Sequence, residues 1–462
     1  MTHTATHPTS LQQAALAMVL LNCFTTPLML SAVNVALPAI ARDLRLNAVL
    51  LSWVPMAYLM ASAMFVLIFG RLADIYGRKR IFLYGTVGVV VTSLMAGLAP
   101  NGTLLISARF LQGVCSAMLY ATQMAIVSSV FPPEKRGHAI GLAVSTIYLG
   151  LTCGPLIGGY LIDWLGWRAS FVFHIPLALV VLVLGMWKVH GDWSSEERGK
   201  FDTTGAVIYS LSIVGLCLGV STLPHVTSYF FILSGCAGLW LFIRFSRSAA
   251  HPILDVKLFF TNRVFIFSCL ASLIIYTATF ANIVLVSLYL QYLKSMPAST
   301  AGLIMMIQPL TMAVLSPFAG RLSDRMEPRI IASAGMAVTA TGLALLAGLN
   351  GMTSLYYLIG ALVITGVGFS MFSSPNVNAI MGSVEKRFYG SAAGSVATVR
   401  VLGQMNSMVL VTLIFALVIG QVEIQPENYT DLQFAIRLCF AIAAGLCLPG
   451  IVFSLSRGRM HK

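Results

Sequence analysis

Two arginines interrupt long apolar runs of this chain, where a permanent positive charge can do chemistry. Arg109 lies in the run 103–130, and Arg400 lies in the middle of the run 389–419. If these runs cross a membrane, each guanidinium costs at least about 2.5–3.5 kcal/mol, so it normally faces a cavity or a polar partner. Because Arg109 is near one end of its run, extension of its side chain to the surface is the alternative. We predict that both arginines line a cavity that can bind a polar or negatively charged group.

Amides and tyrosines are scattered through the same apolar runs. Such side chains can line a central cavity and bind a small molecule, but buried amides also hold neighbouring helices together in lipid. Both interpretations stay open for each residue. With Arg109 and Arg400, the candidate cavity residues are Asn34, Tyr58, Gln112, Tyr120, Gln123, Tyr148, Asn282, Gln308, Asn376 and Gln404.

The composition places these residues in a polytopic membrane protein. Of the 462 residues, 58% are hydrophobic and only 9% are charged, whereas a soluble domain carries about 25% charged residues. The net charge of +13 does not indicate a nucleic-acid partner, because the cations lie in loops between apolar runs. The eight cysteines lie in apolar runs without a CxxC pair, so we predict no disulfide framework and no metal site. The chain has no Walker loop, HExxH or GxSxG motif, so we expect no cofactor and no enzymatic activity.

Fourteen apolar runs are long enough to cross a membrane as helices, which takes about 20 residues each. A more polar stretch, 251–263, carries a few apolar residues among charges and suits a short helix in the membrane interface. Of the 28 Lys and Arg residues, 21 fall in loops on the side of the N-terminus and 4 on the other side, which predicts that both termini are cytoplasmic. The predicted spans are 13–38, 50–69, 81–99, 103–130, 138–162, 168–189, 204–222, 228–245, 264–290, 300–320, 330–349, 354–382, 389–419 and 433–455.

A short glycine-punctuated loop organises the chain and is partly repeated. It reads G-R-L-A-D-I-Y-G-R-K-R over residues 70–80, where Asp74 can pair with Arg78 if the segment is helical. The sequence G-R-L-S-D-R at 320–325 repeats its first part 250 residues later. We interpret this repeat as two homologous six-helix bundles, 1–189 and 264–462, separated by a linker, 190–263, with two extra spans and the interfacial helix.

These motifs together resemble the fourteen-span drug:proton antiporter branch of the major facilitator superfamily. The 70–80 loop is similar to the signature loop of that superfamily, and the likeness extends to N-V-A-L-P at 34–38, R-F-L-Q-G at 109–113, G-L-T-C-G-P-L-I-G-G at 150–159 and R-V-L-G at 400–403. The resemblance implies an all-α fold of two six-helix bundles plus two inserted spans. It also implies export of small amphipathic compounds in exchange for protons, with Arg109 in proton coupling.

The resemblance implies roles for two further groups of residues. A conformational latch, for which a plain topology signal is the alternative, comprises Gly70, Asp74, Gly77, Arg78, Arg80, Gly320 and Asp324. An antiporter motif that seals the cavity, for which simple packing of small residues is the alternative, comprises Gly150, Gly154, Pro155, Gly158 and Gly159.

One position departs from the resembled branch. Its members usually carry an acid in the first span, where this chain has Met29. All 15 acids of the chain fall in loops or at span ends, so Asp43, Asp163 and His174 join Arg109 as candidates for proton coupling. An imidazole ordinarily titrates near neutral pH, but the resembled family usually has Asn at this position, and a structural hydrogen bond is the alternative role of His174. An anionic, zwitterionic or neutral amphipathic substrate is therefore a hypothesis beside a cationic drug.

The leading function is proton-coupled efflux of small amphipathic compounds by alternating access, in a plasma (inner) membrane protein that is a monomer. One alternative is a transporter of an anionic or zwitterionic metabolite or siderophore, which the missing acid favours. Another is a lipid translocase. The expected partners are the substrate, protons and the lipid bilayer.

Overall fold

The computed structural model describes residues 10–193, 201–223, 225–248, 252–254, 261–323, 325–384 and 389–458, without the side chains of 133–135 and 389–391. Asp324 and most of the predicted interfacial helix at 251–263 lie outside the described residues. Within the described ranges, fourteen helices are long and apolar enough to cross a membrane, which confirms the predicted number. Numbered α1 to α14 along the chain, they are Ser10–Leu44, Ala48–Tyr76, Arg78–Gly97, Gly102–Val130, Arg136–Leu165, Ala169–Trp187, Thr203–Ser221, Val226–Ser248, Arg263–Leu293, Ala298–Ser323, Pro328–Ala347, Leu355–Gly382, Ala392–Val418 and Pro426–Ser456.

Short polar side chains begin several of these helices. Asn47 accepts a hydrogen bond from the Leu50 amide at 2.8 Å at the start of α2, and Asn101 accepts one from the Leu104 amide at 2.9 Å at the start of α4. Asp202 begins α7 in the same way. These caps satisfy amides that have no partner inside the helix, and the apolar runs that follow form helices because lipid offers their backbone no hydrogen bonds.

The even number of spans places the first residue of α1 and the last residue of α14 on the same face of the molecule, which we call the termini face. The turn between α2 and α3 at Gly77 and the loop between α4 and α5 also lie there. The opposite face carries the loops between α1 and α2, α5 and α6, α9 and α10, and α13 and α14. Each helix therefore has one half near the termini face and one half near the opposite face.

The first six and the last six helices, which we call the first half and the second half, pack in the same pattern. In the first half, α1 packs against α4, α5 and α6, while α4 packs against α2 and α3, and α3 packs against α6. In the second half, α9 packs against α12, α13 and α14, while α12 packs against α10 and α11, and α11 packs against α14. This correspondence is what a duplicated bundle requires. The boundaries at residues 189 and 264 remain our proposal.

The two halves meet where α1 packs against α9, α2 against α13 and α5 against α10. Near the opposite face, Ser52 Oγ donates to Thr412 Oγ1 at 2.8 Å, and Gln291 Nε2 donates to the Val35 carbonyl at 2.9 Å. Among the described residues, the hydrogen bonds between the halves lie near the opposite face or, as between Tyr148 and Ser373, at mid-span. The molecule is therefore held closed between its halves at the opposite face, whereas no such hydrogen bond joins the described residues of the halves near the termini face.

The inserted helices α7 and α8 form a hairpin at the edge of the bundle. The buried stripe of α7, which includes Tyr209 and Cys217, faces α2 of the first half and α13 of the second half. α8 packs on the outer side of α7, where Gly215 and Gly235 allow close approach of the two backbones. α7 thus lies against both halves at once.

Candidate functional site

Arg109 is fully buried in α4 and does not extend to the surface. Its Nε donates to the Val54 carbonyl at 3.2 Å, and one of its η nitrogens donates to Gln112 Oε1 at 2.5 Å. The guanidinium carbon lies 4.5 Å from the centroid of the Tyr58 ring, and an aromatic face partly compensates a desolvated cation. Among the described residues, no carboxylate forms an ion pair with Arg109. The Phe171 ring lies 5.9 Å away on another side, so within the described part of the chain this charge is held by dipoles and two aromatic rings.

A chain of hydrogen bonds leads from Arg109 through α3 to α6. Gln112 Nε2 donates to Ser93 Oγ at 2.7 Å, and Ser93 Oγ lies 3.2 Å from His174 Nε2. The same Gln112 nitrogen lies 3.1 Å from the sulfur of Met29. The predicted candidates Arg109 and His174 are therefore linked. No pattern in the sequence distinguished the serine that links them, because single serines are common in apolar spans.

A small cavity adjoins this chain of hydrogen bonds and has room for about one water molecule. Met29, Thr26, Thr86 and His174 lie in its wall. Among the described residues, His174 Nδ1 has no hydrogen-bond partner, and buried polar atoms are normally satisfied by protein or by an ordered water. The cavity can therefore hold a water that exchanges a proton with the imidazole.

Two tyrosines connect Arg109 to the second half. The hydroxyl groups of Tyr58 and Tyr120 lie 3.0 Å apart. The guanidinium of Arg400, on α13, lies 5.9 Å from the centroid of the Tyr120 ring. Each end of the tyrosine pair therefore carries one arginine, and the arrangement crosses the boundary between the halves. We call Arg109, Tyr58, Tyr120 and Arg400 the central site.

Tyr148 makes a second polar contact between the halves near the central site. Its hydroxyl lies 3.0 Å from Ser373 Oγ of α12, and Arg400 is close enough to interact with Tyr148 electrostatically. Arg400 is half-buried, and no ion pair with a carboxylate is found for it in the described chain. The structure thus places Tyr148 near Arg400, one of the four residues of the central site.

The other predicted cavity residues lie outside this cluster. Gln123 accepts a hydrogen bond from Asn22 at 2.9 Å between α1 and α4, so it joins helices within the first half. Asn376 donates to Ser272 Oγ at 2.8 Å and accepts from Arg457 at 2.8 Å within the second half. The remaining candidates are the buried Asn34 and Asn282 and the half-buried Gln308 and Gln404.

Arg457 is a deep cation that sequence reasoning placed among the loop residues. It follows α14 directly, yet only 1% of its surface is exposed. Besides Asn376, it donates to Ser268 Oγ at 3.2 Å. Its position in a basic tail resembles that of a solvated topology signal, so no pattern in the sequence distinguished it.

The motif loop at 70–80 forms a compact turn at the termini face. Gly77, with φ +109°, separates α2 from α3. Arg78 forms an ion pair of 2.8 Å with Asp74 across this turn, and it also donates to Ser129 Oγ of α4 at 2.6 Å. The predicted contact between Asp74 and Arg78 is therefore present. Its role as a latch stays a prediction.

The remaining residues of the motif allow other segments to pack closely against that turn. A Cβ at Gly77 would overlap the carboxylate of Asp192, which lies 3.4 Å from Arg80. Gly70 lies next to α4, and Gly320, its counterpart in the repeat, lies next to α12. The repeated motif thus takes equivalent positions in the two halves.

The predicted antiporter motif gives α5 two smooth faces. Cβ atoms at Gly150, Gly154 and Gly158 would lie within 2.3 to 2.7 Å of atoms of α1. On the other face, a Cβ at Gly159 would lie 2.4 Å from the Ala298 carbonyl oxygen of α10. Small residues at this spacing let helices approach closely. The motif therefore packs α5 both within the first half and against the second half.

The two candidate acids lie near the opposite face. Asp43 forms an ion pair of 2.8 Å with Arg168 and accepts a hydrogen bond from Trp167 at 2.9 Å. Asp163 accepts hydrogen bonds from the backbone amides of Ala298 at 3.2 Å and Ser299 at 2.9 Å, at the start of α10. Asp163 thus caps a helix of the other half, beside the close approach at Gly159.

Fourteen apolar helices, two halves with the same packing and a polar site between them define a multi-pass membrane protein of the transporter class. The sequence profile of the Major Facilitator Superfamily matches residues 19–405 and, again, residues 268–460. The chain belongs to this superfamily, which confirms the resemblance found in the sequence. It is a membrane transporter and not an enzyme.

Several curated relatives are similar over most of the chain. The riboflavin transporter RibZ of Clostridioides difficile is 29% identical over 440 residues, which cover 95% of this chain and 96% of RibZ. The multidrug resistance protein Stp of Mycobacterium tuberculosis is 29% identical over 80% of this chain and 70% of its own. The multidrug efflux pump LfrA of Mycolicibacterium smegmatis is 27% identical, over 88% of this chain and 82% of LfrA.

Solved structures share the fold at low sequence identity. A POT family transporter in complex with a thioalcohol conjugated peptide has a TM-score of 0.70 and 15% identity, over 95% of this chain and 96% of that chain. A peptide transporter POT in complex with sulfate has a TM-score of 0.69 and 14% identity, over 99% of this chain and 97% of that chain. These likenesses concern the fold alone.

Proposed function

We propose that this transporter exports small amphipathic compounds across the plasma membrane in exchange for protons, by alternating access to the central site. The observation that carries the proposal is the tyrosine pair Tyr58–Tyr120, held between Arg109 of the first half and Arg400 of the second. When the two halves rock against each other, a site built by both halves becomes accessible from one side of the membrane and then from the other, as alternating access requires. The similarity to Stp and LfrA, both named for multidrug resistance or efflux, supports export.

With cytoplasmic termini, which the distribution of Lys and Arg favours, this conformation faces inward. The contacts near Ser52 and Asp163 hold the halves together at the opposite face. The ion pair between Asp74 and Arg78 lies within the first half in this state. Release of substrate to the outside then requires the opposite-face contacts to break and the termini face to close.

The central site favours neutral and anionic compounds over cations. No carboxylate of the described residues pairs with Arg109 or Arg400, and a cationic substrate would be repelled by both. A planar ring can stack on Tyr120 in the place that the Arg400 guanidinium now occupies. An acidic group of the substrate can form a charge-assisted hydrogen bond with Arg400.

His174 is the proton carrier in this proposal. It is joined to Arg109 through Ser93 and Gln112, and its side chain lies in the wall of the water-sized cavity beside Met29. His174 lies near the start of α6 at the opposite face, so proton uptake accompanies opening of that face. Asp43 and Asp163 are less suited to this role, because the first is paired with Arg168 and the second caps α10.

Everted membrane vesicles test the export, the coupling and the charge preference together. Three fluorescent probes are added outside: 8-anilino-1-naphthalenesulfonate (an anion), N-phenyl-1-naphthylamine (neutral) and ethidium (a cation). We expect vesicles with an acidic interior to accumulate the first two probes, and we expect a proton ionophore to abolish the accumulation. Accumulation of ethidium alone would contradict the charge preference. Accumulation that survives the ionophore would contradict the proton coupling.

The similarity to RibZ supports a second candidate function, the transport of riboflavin or a related flavin. This relative matches over 95% of the chain and 96% of its own length, and a flavin ring is planar and uncharged, as the central site favours. Counterflow of radiolabelled riboflavin in proteoliposomes separates the two candidates. Saturable counterflow that the three fluorescent probes do not inhibit would favour a dedicated flavin transporter.

A further inference from the structure

The sequence R-V-L-G at 400–403 puts a glycine one helical turn along α13 from Arg400. Because the two residues are three positions apart, they lie on the same side of the helix. A Cβ added at Gly403 would lie 2.6 Å from the Cβ of Tyr276 and 2.8 Å from the Leu273 carbonyl oxygen, both on α9. The missing side chain at Gly403 therefore allows α9 to pack closely against α13, with Tyr276 next to the turn that carries Arg400.

Helix α12 holds the same tyrosine from another side. The ring of Tyr276 packs edge to face on Phe369, with the ring centroids 5.5 Å apart. Ser373, one turn further along α12 on the same side, is the residue whose Oγ lies 3.0 Å from the Tyr148 hydroxyl. Tyr276 and Tyr148 therefore lie beside each other on this side of α12, close enough for an electrostatic interaction between them.

Tyr276 keeps part of its ring accessible. Phe369 behind it is only 5% exposed, whereas Tyr276 is half-buried. Its neighbours are Tyr148 on α5, Phe369 on α12 and Gly403 on α13, so the tyrosine lies where the first half meets the second half. A substrate that occupies the central site can therefore contact this ring.

Arg400 thus has aromatic neighbours from both halves. The Tyr120 ring of the first half lies 5.9 Å from its guanidinium, and Tyr276 of the second half lies next to it along α13. No carboxylate of the described residues forms an ion pair with Arg400. An aromatic face can stack on a planar ring, and a guanidinium can bind an acidic group through charge-assisted hydrogen bonds. This combination suits a molecule that carries both groups.

We propose that Tyr276 is a specificity-determining residue of the central site, which selects planar aromatic acids by stacking on their ring while Arg400 binds the acidic group. The inference rests on the proposed transport of amphipathic compounds and assigns the chemical class that the site prefers. A neutral aromatic compound makes the first contact alone. A saturated ring has no π face, so an aliphatic acid makes the second contact alone.

Competition experiments test this preference with transported 8-anilino-1-naphthalenesulfonate as the probe in everted vesicles. The two competitors are naphthalene-2-sulfonate and its decahydro analogue, which have the same charge and carbon skeleton but differ in aromaticity. For the wild type, we expect half-maximal inhibition by the aromatic competitor at a concentration about fivefold or more lower than by the saturated one. Equal inhibition by the two competitors would overturn the aromatic preference.

Substitutions at position 276 test whether this tyrosine carries the preference. Tyr276→Leu should bring the ratio of the two inhibitory concentrations to within about twofold of unity, and Tyr276→Phe, which keeps the ring, should retain the wild-type ratio. Tyr276→Met is a second variant without a ring, and its flexible side chain adapts to the space that the ring leaves. Tyr356→Leu, at a tyrosine of α12 that is 87% exposed, is the matched control and should retain the wild-type ratio.

The ratio separates a substrate contact from a structural role. Looser packing of α9 would change the transport rate or the amount of folded protein, but it would affect both competitors equally. A wild-type ratio in Tyr276→Leu or Tyr276→Met would overturn the assignment of Tyr276. A wild type that transports none of the fluorescent probes would instead overturn the proposed function, and this inference with it.

Discussion

The sulfur of Met29 lies 3.1 Å from Nε2 of Gln112, the amide whose oxygen accepts a hydrogen bond from Arg109. This is the position at which the resembled antiporters usually carry an acid. A thioether there leaves Arg109 without a carboxylate among the described residues. The proposed charge preference is thus related to the side chain at position 29.

Met29→Asp is expected to give the protein transport of cations. A carboxylate at this position would reach Gln112 and neutralise the field of Arg109, because opposite charges in a low-dielectric site interact strongly. Ethidium transport should rise about fivefold or more above the wild-type rate, about 1 kcal/mol of added stabilisation. The fluorescence of ethidium in everted vesicles measures this transport rate. Met29→Asn is the control of the same shape without charge, and similar ethidium rates in both variants would refute this role.

His174→Asn is expected to separate transport from the proton gradient. Asparagine keeps a polar group near Ser93 but cannot titrate, so substrate counterflow should continue while accumulation driven by the pH gradient is lost. Counterflow and gradient-driven uptake are measured on the same proteoliposomes. His225→Asn, at an exposed histidine before α8, should leave both unchanged. Gradient-driven accumulation in His174→Asn equal to the wild type would exclude the imidazole as the proton carrier.

Asp163→Ala is expected to shift the conformational equilibrium toward opening at the opposite face. The substitution removes the cap that joins α5 to the amides of Ala298 and Ser299, and the loss of such a cap costs about 0.5–2 kcal/mol. Trp164, at the end of α5, and Met352, between α11 and α12, are both exposed at the opposite face, and spin labels at these two positions should show more of the long-distance population. Asp43→Ala, whose partners Trp167 and Arg168 lie within the first half, is the control. An unchanged distribution in Asp163→Ala would show that the cap does not hold the halves together.

Gly154→Val is expected to destabilise the first half. A Cβ there would lie 2.5 Å from the Ser31 Cβ and 2.8 Å from the Leu28 carbonyl oxygen of α1, and overpacking typically costs about 1–3 kcal/mol. The apparent melting temperature in detergent should fall. Gly141→Ala, in the same helix but in open space, should keep or raise it, because alanine favours the helix. Equal melting temperatures would mean that α1 and α5 do not need this close approach.

Much of the fold could be predicted from the sequence, because a membrane span needs about 20 apolar residues and a polar loop on each side. The 250-residue repeat likewise foretold that Gly70 and Gly320 take equivalent positions. The pairings between distant helices could not be predicted in this way. Ser93 becomes a link only where α3, α4 and α6 meet, and Arg457 is buried only because Asn376 and Ser268 lie beside it.

Residue type and position in the sequence alone predicted four residues of the candidate site. The structure brings these four together: Arg109, Tyr58, Tyr120 and Arg400. Gln123 and Asn376 had the same signal but lie within one half each. A polar residue in an apolar run thus indicates burial, whereas its partner depends on the packing of the whole bundle. The position of α7 against both halves had no signal in the sequence, since the sequence of α7 resembles that of any other span.

The proposed function depends on a central site whose deep charges are basic, and the substitution Arg400→Gln tests this feature most directly. The measurement compares initial rates for 8-anilino-1-naphthalenesulfonate and for N-phenyl-1-naphthylamine, a related amphiphile without the sulfonate. We predict that the variant loses about tenfold or more for the anion, as expected for a lost charge-assisted contact of about 1.4 kcal/mol. For the neutral probe, the rate should stay within about twofold of the wild type. Equal losses for both probes, or no loss for either, would contradict the account.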